Sequence, residues 1–113
     1  MLPPKNRLVK KNDFERLFKK GSFLNSQLFS LRFIKNGLAD SRFGFVVSAK
    51  ISKKAVERNK IKRRLRESIR AILENIHPGV DVSITTKPTI KNKKFEDIIE
   101  EIEKIFKKAG LVG

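Results

Sequence analysis

Two different spacings of apolar and polar positions recur along the chain, and together they predict both helices and strands. Apolar residues recur every three to four positions, as in amphipathic helices, in three segments: about 13–20, 53–76 and from 95 onward. They alternate with polar residues, as in half-buried strands, in three others: 28–33, 42–49 and 80–86. The predicted order is α-β-β-α-β-α, an α+β domain in which the helices cover a small sheet.

Capping residues mark the expected ends of the first two helices. Asn12, followed three residues later by Glu15, is expected to cap the first helix, and Gly21 is expected to end it. Ser52 is expected to cap the long helix, which should stop at His77-Pro78-Gly79.

The composition restricts the class of protein. The 113 residues contain neither a linker nor a repeat, and no apolar run approaches the roughly 18 residues of a membrane span. We therefore expect a single domain over 1–113 and no membrane partner. The N-terminus lacks the apolar stretch of a secretory signal, and cysteine is absent. Both features favour a cytoplasmic protein without disulfides or thiolate metal sites.

Positive charge is the strongest compositional signal. The sequence holds 27 Lys and Arg against 12 Asp and Glu, a net charge of +15, which is far more than solubility requires of a small domain. Residues 50–70 carry +8 of this charge, with ten basic and two acidic side chains. Because like charges one helical turn apart repel, this concentration indicates an anionic partner, and for so basic a protein that partner is usually nucleic acid.

Catalysis by the chain alone has little support in the sequence. The single histidine, His77, stands beside Pro78 at a predicted helix end, and no metal-ligand spacing or phosphate-binding glycine loop is present. The acids that begin the last helix complement the helix dipole, which explains them without a metal pair. We expect a binding protein with no catalytic residue, no metal site of its own and no small-molecule substrate.

The two amphipathic helices offer candidate contacts to nucleic acid, either structured RNA or DNA. At about 100° per residue, Ile61, Leu65 and Ile69 of the long helix share an apolar arc, and a basic flank lies beside it. Such a flank would contact nucleic-acid phosphates whatever the base sequence. Phe14 and Phe18 of the first helix lie one turn apart, and each ring could either pack in the core or stack on an unpaired base.

The stretch KAVERNKIKRRLRESIR is more specific than the charge pattern alone. It resembles the RNR motif of the bacterial ribonuclease P protein family, K-x-x-x-R-N-x-x-K-R-x-x-R-E. The matching residues are Lys54, Arg58, Asn59, Lys62, Arg63, Arg66 and Glu67. The segments NRLVKKNDFERLFKKG, FGFVVSAK and DVSITTKP are similar to that family's first helix and to the strands on either side of its long helix. The resemblance covers almost the whole chain.

This resemblance implies the non-catalytic protein subunit of a ribonucleoprotein endoribonuclease. In such an assembly the catalytic RNA and its Mg²⁺ ions remove the 5′ leader from precursor tRNA, so the implied partners are that RNA and precursor tRNA. The implied fold is similar to the second domain of ribosomal protein S5, with a left-handed βαβ crossover. General rules would not predict that hand, since nearly all crossovers are right-handed.

The resemblance also implies roles for particular residues. Contacts to the catalytic RNA fall to the RNR motif and its extension, here Lys54, Arg58, Asn59, Lys62, Arg63, Arg66 and Arg70. The leader would lie in a cleft between the first helix and a sheet face, lined by Phe14, Phe18, Ser48 and Lys50. Ser48 is expected to share one face of the strand with Lys50, and Phe45 falls on the opposite face, so Phe45 is assigned to the core.

Two other functions are compatible with a basic helix. The first is a ribosomal or other structured-RNA scaffold protein, which would sediment with ribosomal subunits. The second is a DNA-binding module whose long helix enters a groove, which would bind duplex DNA and folded RNA equally well. Neither alternative predicts that the protein lowers the Mg²⁺ concentration needed for leader removal.

Overall fold

The computed structural model describes residues 2–112, which form three α-helices and four β-strands. In chain order these are α1 (Lys11–Lys20), β1 (Ser22–Asn25), β2 (Phe29–Lys35), β3 (Arg42–Val46), α2 (Ala55–Ile72), β4 (Val80–Thr86) and α3 (Phe95–Lys108). The predicted α+β class is confirmed, with one strand more than the sequence pattern indicated. None of the helices within residues 2–112 is long and apolar enough to cross a membrane.

The four strands form one sheet in the order β1-β2-β4-β3. β2 is antiparallel to both β1 and β4, whereas β3 runs parallel to β4, with Phe43 opposite Val82. β3, α2 and β4 therefore form a βαβ unit between neighbouring strands. The left-handed crossover implied by the family resemblance stays a prediction.

The strand register gives the sheet two chemically different faces, because successive side chains point to opposite sides. One face carries buried apolar residues, among them Leu31, Phe43 and Val82, and belongs to the same core as the buried stripes of α2 and α3. The ring of Phe43 stacks on that of Phe106 in α3, with centroids 6.4 Å apart. The other face is largely polar and is covered in part by α1.

The ends of α1 differ from those that its capping signals predicted. The helix begins at Lys11 with Lys10 as N-cap, so the prediction that Asn12 caps it was wrong. The backbone of Asn12 is already helical, and an N-cap side chain needs a non-helical backbone to reach the N–H groups that follow it. Gly21 ends the helix in an extended conformation, where a Cβ atom would lie 2.5 Å from the carbonyl oxygen of Leu17. Glycine is therefore required at position 21, because a Cβ atom would overlap this carbonyl oxygen.

The long helix α2 is shorter than the predicted 53–76 and continues only as a 3₁₀ turn over Leu73–Asn75. Its N-cap is Lys54, so the prediction that Ser52 caps it was wrong. The Ser52 hydroxyl instead donates to Glu57 Oε2 at 2.7 Å and accepts from the Lys54 N–H at 3.2 Å. Ser52 thus braces the turn before the helix.

Two strand predictions also need correction. β1 was not predicted, because it is an edge strand that is mostly exposed and shows no apolar alternation. β3 ends at Val46 rather than at Ala49, so Ser48 and Lys50 lie in a loop and do not share a strand face. In that loop the Ser48 carbonyl accepts a hydrogen bond from the Ile51 N–H at 3.0 Å, which closes a turn. Phe45 packs against the core, as predicted.

Candidate RNA interface

α2 carries the predicted RNA-binding side chains beside the stripe that packs into the core. Ile61, Leu65 and Ile69 are buried and hold the helix in place. The adjacent surface, here called the RNR flank, consists of Lys54, Arg58, Asn59, Lys62, Arg63, Arg66 and Arg70, all of them exposed or partly exposed. The fold therefore keeps this charge at the surface, where RNA phosphates can reach it.

Arg58 has a structural contact that the sequence did not reveal. Its Nη1 donates to the carbonyl oxygen of Ser52 at 2.8 Å. This bond ties the loop between β3 and α2, which contains Ser48 and Lys50, to the first turn of the RNR flank. A guanidinium has five N–H donors, so bracing the loop and contacting a phosphate are compatible roles.

The two phenylalanines of α1, for which core packing and base stacking were both open, lie in different environments. The ring of Phe14 is half-buried and packs so closely on Gly44 of β3 that a Cβ atom there would overlap it. Phe18 is 48% exposed. Phe14 thus fixes α1 on the sheet, while Phe18 offers the accessible ring that stacking on a base requires.

Arg32 of β2 lies between two aromatic rings. Its guanidinium carbon is 4.9 Å from the ring centroid of Phe18 and 4.9 Å from that of Phe23 in β1, which is 50% exposed. Neither Arg32 nor Phe23 was among the predicted cleft residues. Phe23 was missed along with its strand, whereas Arg32 could have been found as a cation that alternates with buried Leu31. Together the three side chains form a wall suited to stacking on bases.

Ser48 and Lys50 were predicted to line the cleft from one strand face, and that geometry was wrong. Both side chains are exposed in the loop between β3 and α2. This loop joins the sheet directly to the RNR flank, so the two residues lie along the chain between the two candidate RNA-binding surfaces. Their contact with the leader stays a prediction.

A buried carboxylate holds α1 on the polar face of the sheet. Asp81 of β4 is fully buried and accepts hydrogen bonds from Arg16 of α1, from Arg42 of β3 and from Asn36. Burial alone would raise the pKa of Asp81, but the hydrogen bonds from Arg42 and Asn36 and the charges of Arg42 and Arg16 outweigh it, and the pKa lies below its ordinary value. This network sets the position of α1, and with it those of Phe14 and Phe18.

Acidic and histidine side chains form no metal-ligand cluster in the part of the chain that the structure describes. Residues 2–112 contain no group of three or more His, Asp or Glu side chains placed to hold a metal ion. The carboxylates of Asp13 in α1 and of Asp81 beneath that helix are both engaged by Arg42. The expectation that the RNA binds the Mg²⁺ implied by the family resemblance stays a prediction.

Comparison with known sequences identifies the family. The family model described as Ribonuclease P matches residues 2–110. The chain belongs to the ribonuclease P protein family. The ribonuclease P protein component of Synechocystis sp. is 36% identical over 112 residues, covering 98% of this chain and 90% of the relative. That of Caldanaerobacter subterraneus subsp. tengcongensis is 35% identical, covering 93% of this chain and 90% of the relative.

Solved structures of ribonuclease P proteins have the same fold. The Staphylococcus aureus protein superposes with a TM-score of 0.87 at 29% identity, covering 96% of this chain and 98% of that chain. The Thermotoga maritima protein has a TM-score of 0.83 at 33% identity, with 90% and 96% covered. Membership of this family indicates that the chain is a component of an endoribonuclease complex. It argues against the two alternative functions, a ribosomal scaffold protein and a DNA-binding module.

Proposed function

We propose that this chain binds the catalytic RNA of ribonuclease P through the RNR flank and binds the 5′ leader of precursor tRNA in the cleft between α1 and the sheet. The observation that carries the proposal is the division of α2. One stripe is locked in the core, and the adjacent flank carries the cations of the family motif at the surface. An isolated domain gains no stability from cations gathered in this way.

The physical benefit of such binding is charge neutralisation. Two RNAs repel each other along their backbones, and Lys and Arg side chains that contact phosphates release condensed counterions and reduce this repulsion. The hydrolysis itself is chemistry that the RNA and its Mg²⁺ ions supply. The protein's part is to bind and orient, with Phe18, Arg32 and Phe23 offering a stacking surface for unpaired leader bases.

Reconstituted cleavage tests this function. The full chain is mixed with ribonuclease P RNA and precursor tRNA, and leader removal is measured over a range of Mg²⁺ concentrations. We expect the protein to shift half-maximal cleavage to lower Mg²⁺ and the double variant Arg63→Gln/Arg66→Gln to lose most of this shift. The variant should also reduce the salt dependence of RNA binding by about one unit of log–log slope per lost contact.

A matched control removes the same charge elsewhere. Lys104→Gln/Lys107→Gln also deletes two exposed cations, but from α3. We expect it to leave both the Mg²⁺ requirement and the salt slope nearly unchanged. An unaltered Mg²⁺ requirement on adding the wild-type protein, or equal effects of the two double variants, would contradict the proposal.

A further inference from the structure

A second basic surface lies beside α2, where the loop between β4 and α3 packs against the helix. Residues 91–94 of this loop read KNKK and face two basic side chains of α2 across an open concavity of about 320 Å³. We call this surface the basic cradle. Its cations are Lys60, Arg64, Lys91, Lys93 and Lys94, and its one carboxylate is that of Glu57.

The cradle side chains of α2 and the flank residues Lys62 and Arg66 lie on opposite sides of the buried stripe, and Arg63 lies on the outer face between them. At about 100° per residue, Lys60 and Arg64 fall on one side of the stripe that contains Ile61 and Leu65, and Lys62 and Arg66 fall on the other. A single RNA backbone lying along the RNR flank would have to cross the outer face of the helix to reach the cradle. The two surfaces are therefore placed to meet different stretches of RNA.

Specific contacts hold the loop against the helix. Arg64 Nη1 donates to the carbonyl oxygen of Lys93 at 2.8 Å, and Lys91 Nζ lies 3.8 Å from Glu57 Oε2. Asn92 has a φ of 68°, a left-handed conformation that asparagine tolerates better than most residues. The backbone positions of the three loop lysines are thus set by the fold.

The charge of the cradle is largely unneutralised. Within residues 2–112, Lys60, Lys93 and Lys94 form no ion pair, although acidic residues begin the neighbouring helix α3. The Glu57 carboxylate is already engaged by the Ser52 hydroxyl and by Lys91. The cations that line this concavity outnumber its single carboxylate and repel one another, so an anionic partner would stabilise the arrangement.

The chemistry of the cradle favours phosphate over a protein partner. Protein interfaces depend on buried aromatic or apolar anchors, and no exposed aromatic side chain lines this concavity. Lysine and arginine alone are sufficient for contacts to a sugar–phosphate backbone. The geometry therefore points to a polyanion whose charges are spaced along a chain.

We infer that the basic cradle is a second RNA-binding surface, which holds the backbone of an RNA segment different from the one on the RNR flank. This inference rests on the proposed function, because it takes the RNR flank to be bound to RNA in the same assembly. The catalytic RNA and precursor tRNA offer the same phosphate chemistry. Labelling each RNA in turn distinguishes the two sources.

Tethered cleavage tests the inference directly. Because the sequence has no cysteine, one introduced cysteine can carry an iron chelate that generates hydroxyl radicals and cuts nearby RNA. The variants are Lys93→Cys in the cradle, Lys62→Cys on the far side of α2 in the RNR flank and Lys107→Cys on α3 as control. Each is assembled with labelled ribonuclease P RNA, and then with labelled precursor tRNA added.

We expect Lys93→Cys to cut one of the two RNAs several-fold more strongly than Lys107→Cys does, in a segment that Lys62→Cys does not cut. Cuts from Lys62→Cys combined with background cutting from Lys93→Cys would contradict RNA binding by the basic cradle but not the proposed function. Coincident cuts from both positions would also contradict the inference, because the cradle would then not bind a separate segment. Absence of cuts from Lys62→Cys would contradict the proposed function itself.

A charge-deletion series gives an independent measure. Lys60→Gln/Lys93→Gln/Lys94→Gln removes three cations that form no ion pair among the described residues, so folding should be preserved. We expect the salt slope of RNA binding to fall by about two to three units and affinity at moderate salt to fall at least about tenfold. The matched variant Lys104→Gln/Lys107→Gln/Lys108→Gln should change neither. Equal effects of the two triple variants would show that the loss of affinity reflects net charge, and would contradict RNA binding by the basic cradle.

Discussion

The guanidinium of Arg42 in β3 holds the fully buried carboxylate of Asp81 in β4 with two hydrogen bonds, Nε to Oδ1 at 2.8 Å and Nη2 to Oδ2 at 2.7 Å. The pair also reaches α1, because Arg42 Nη1 lies 3.3 Å from Asp13 Oδ2 and Arg16 Nη2 lies 3.1 Å from Asp81 Oδ2. Two neighbouring strands and the helix that walls the cleft are thus joined through one carboxylate.

Replacing that carboxylate should destabilise the fold strongly. Asp81→Asn keeps the shape of the side chain but leaves Arg42 and Arg16 without their buried partner, and breaking a buried ion pair typically costs about 3 kcal/mol or more. Urea unfolding measures the change in free energy of unfolding. The control is Asp40→Asn, because Asp40 pairs with Lys5 at 3.9 Å on the surface, where such pairs contribute about 0–1 kcal/mol. Similar losses in both variants would show that burial does not set the strength of the Asp81 network.

The same network predicts a pH dependence of stability. Burial opposes ionisation of Asp81, but Arg42, Asn36 and Arg16 outweigh it, so the folded protein has a lower pKa at this carboxyl than the unfolded chain. A group of this kind stabilises the fold above its unfolded pKa, about 3.9 for aspartate, and loses that contribution as the pH falls through the folded pKa. The stability difference between wild type and Asp81→Asn should therefore stay constant from pH 7 to about 5 and shrink below about 4. Urea unfolding at a series of pH values checks this, and a difference that persists unchanged down to about pH 2.5 would contradict it.

Periodicity was sufficient for the elements that bury one face. The alternation over 80–86 predicted β4 with its observed bounds, and the apolar arc through Ile61, Leu65 and Ile69 predicted which side of α2 packs. β1 was not predicted, because an exposed edge strand carries no such pattern. The start of α2 was misplaced because Ser52, Glu57 and Arg58 form a local network whose hydrogen bonds replace a simple cap.

Fewer residues of the candidate site could be predicted from the sequence, because its side chains meet only through tertiary packing. The resemblance to the RNR motif located the basic flank of α2, and the pairing of Phe14 with Phe18 located α1. Nothing in the local sequence places Arg32 between rings from α1 and β1, or the loop 91–94 beside α2. In the sequence, Asp81 is an ordinary polar position of an alternating strand. Only the fold brings it together with its partners from β3 and α1.

Phe18 should contribute to leader binding rather than to stability. Because its ring is half-exposed and rests on Arg32, Phe18→Ala should lower the free energy of unfolding by no more than about 1 kcal/mol. It should weaken binding of precursor tRNA to the holoenzyme, by about 1–3 kcal/mol if the ring stacks on one base, and leave binding of mature tRNA nearly unchanged. Leu38→Ala, which truncates a similarly exposed apolar side chain in the turn between β2 and β3, is the control. Equal losses of affinity for precursor and mature tRNA in Phe18→Ala would contradict a contact with the leader.

The contact between Gly44 and Phe14 should couple the sheet to α1. An alanine at position 44 would place a Cβ atom inside the volume of the Phe14 ring, so Gly44→Ala should displace the ring and destabilise the protein by about 1–3 kcal/mol. Phe14→Leu removes the far end of the ring, and in that background Gly44→Ala should cost less, with a coupling energy of about 1 kcal/mol in a double-mutant cycle measured by urea unfolding. Gly37→Ala is the matched control, because Gly37 has a φ of 72° and open space around it. Its cost should come from the backbone alone and should add to that of Phe14→Leu, whereas additive costs for Gly44→Ala and Phe14→Leu would contradict the close contact between α1 and β3.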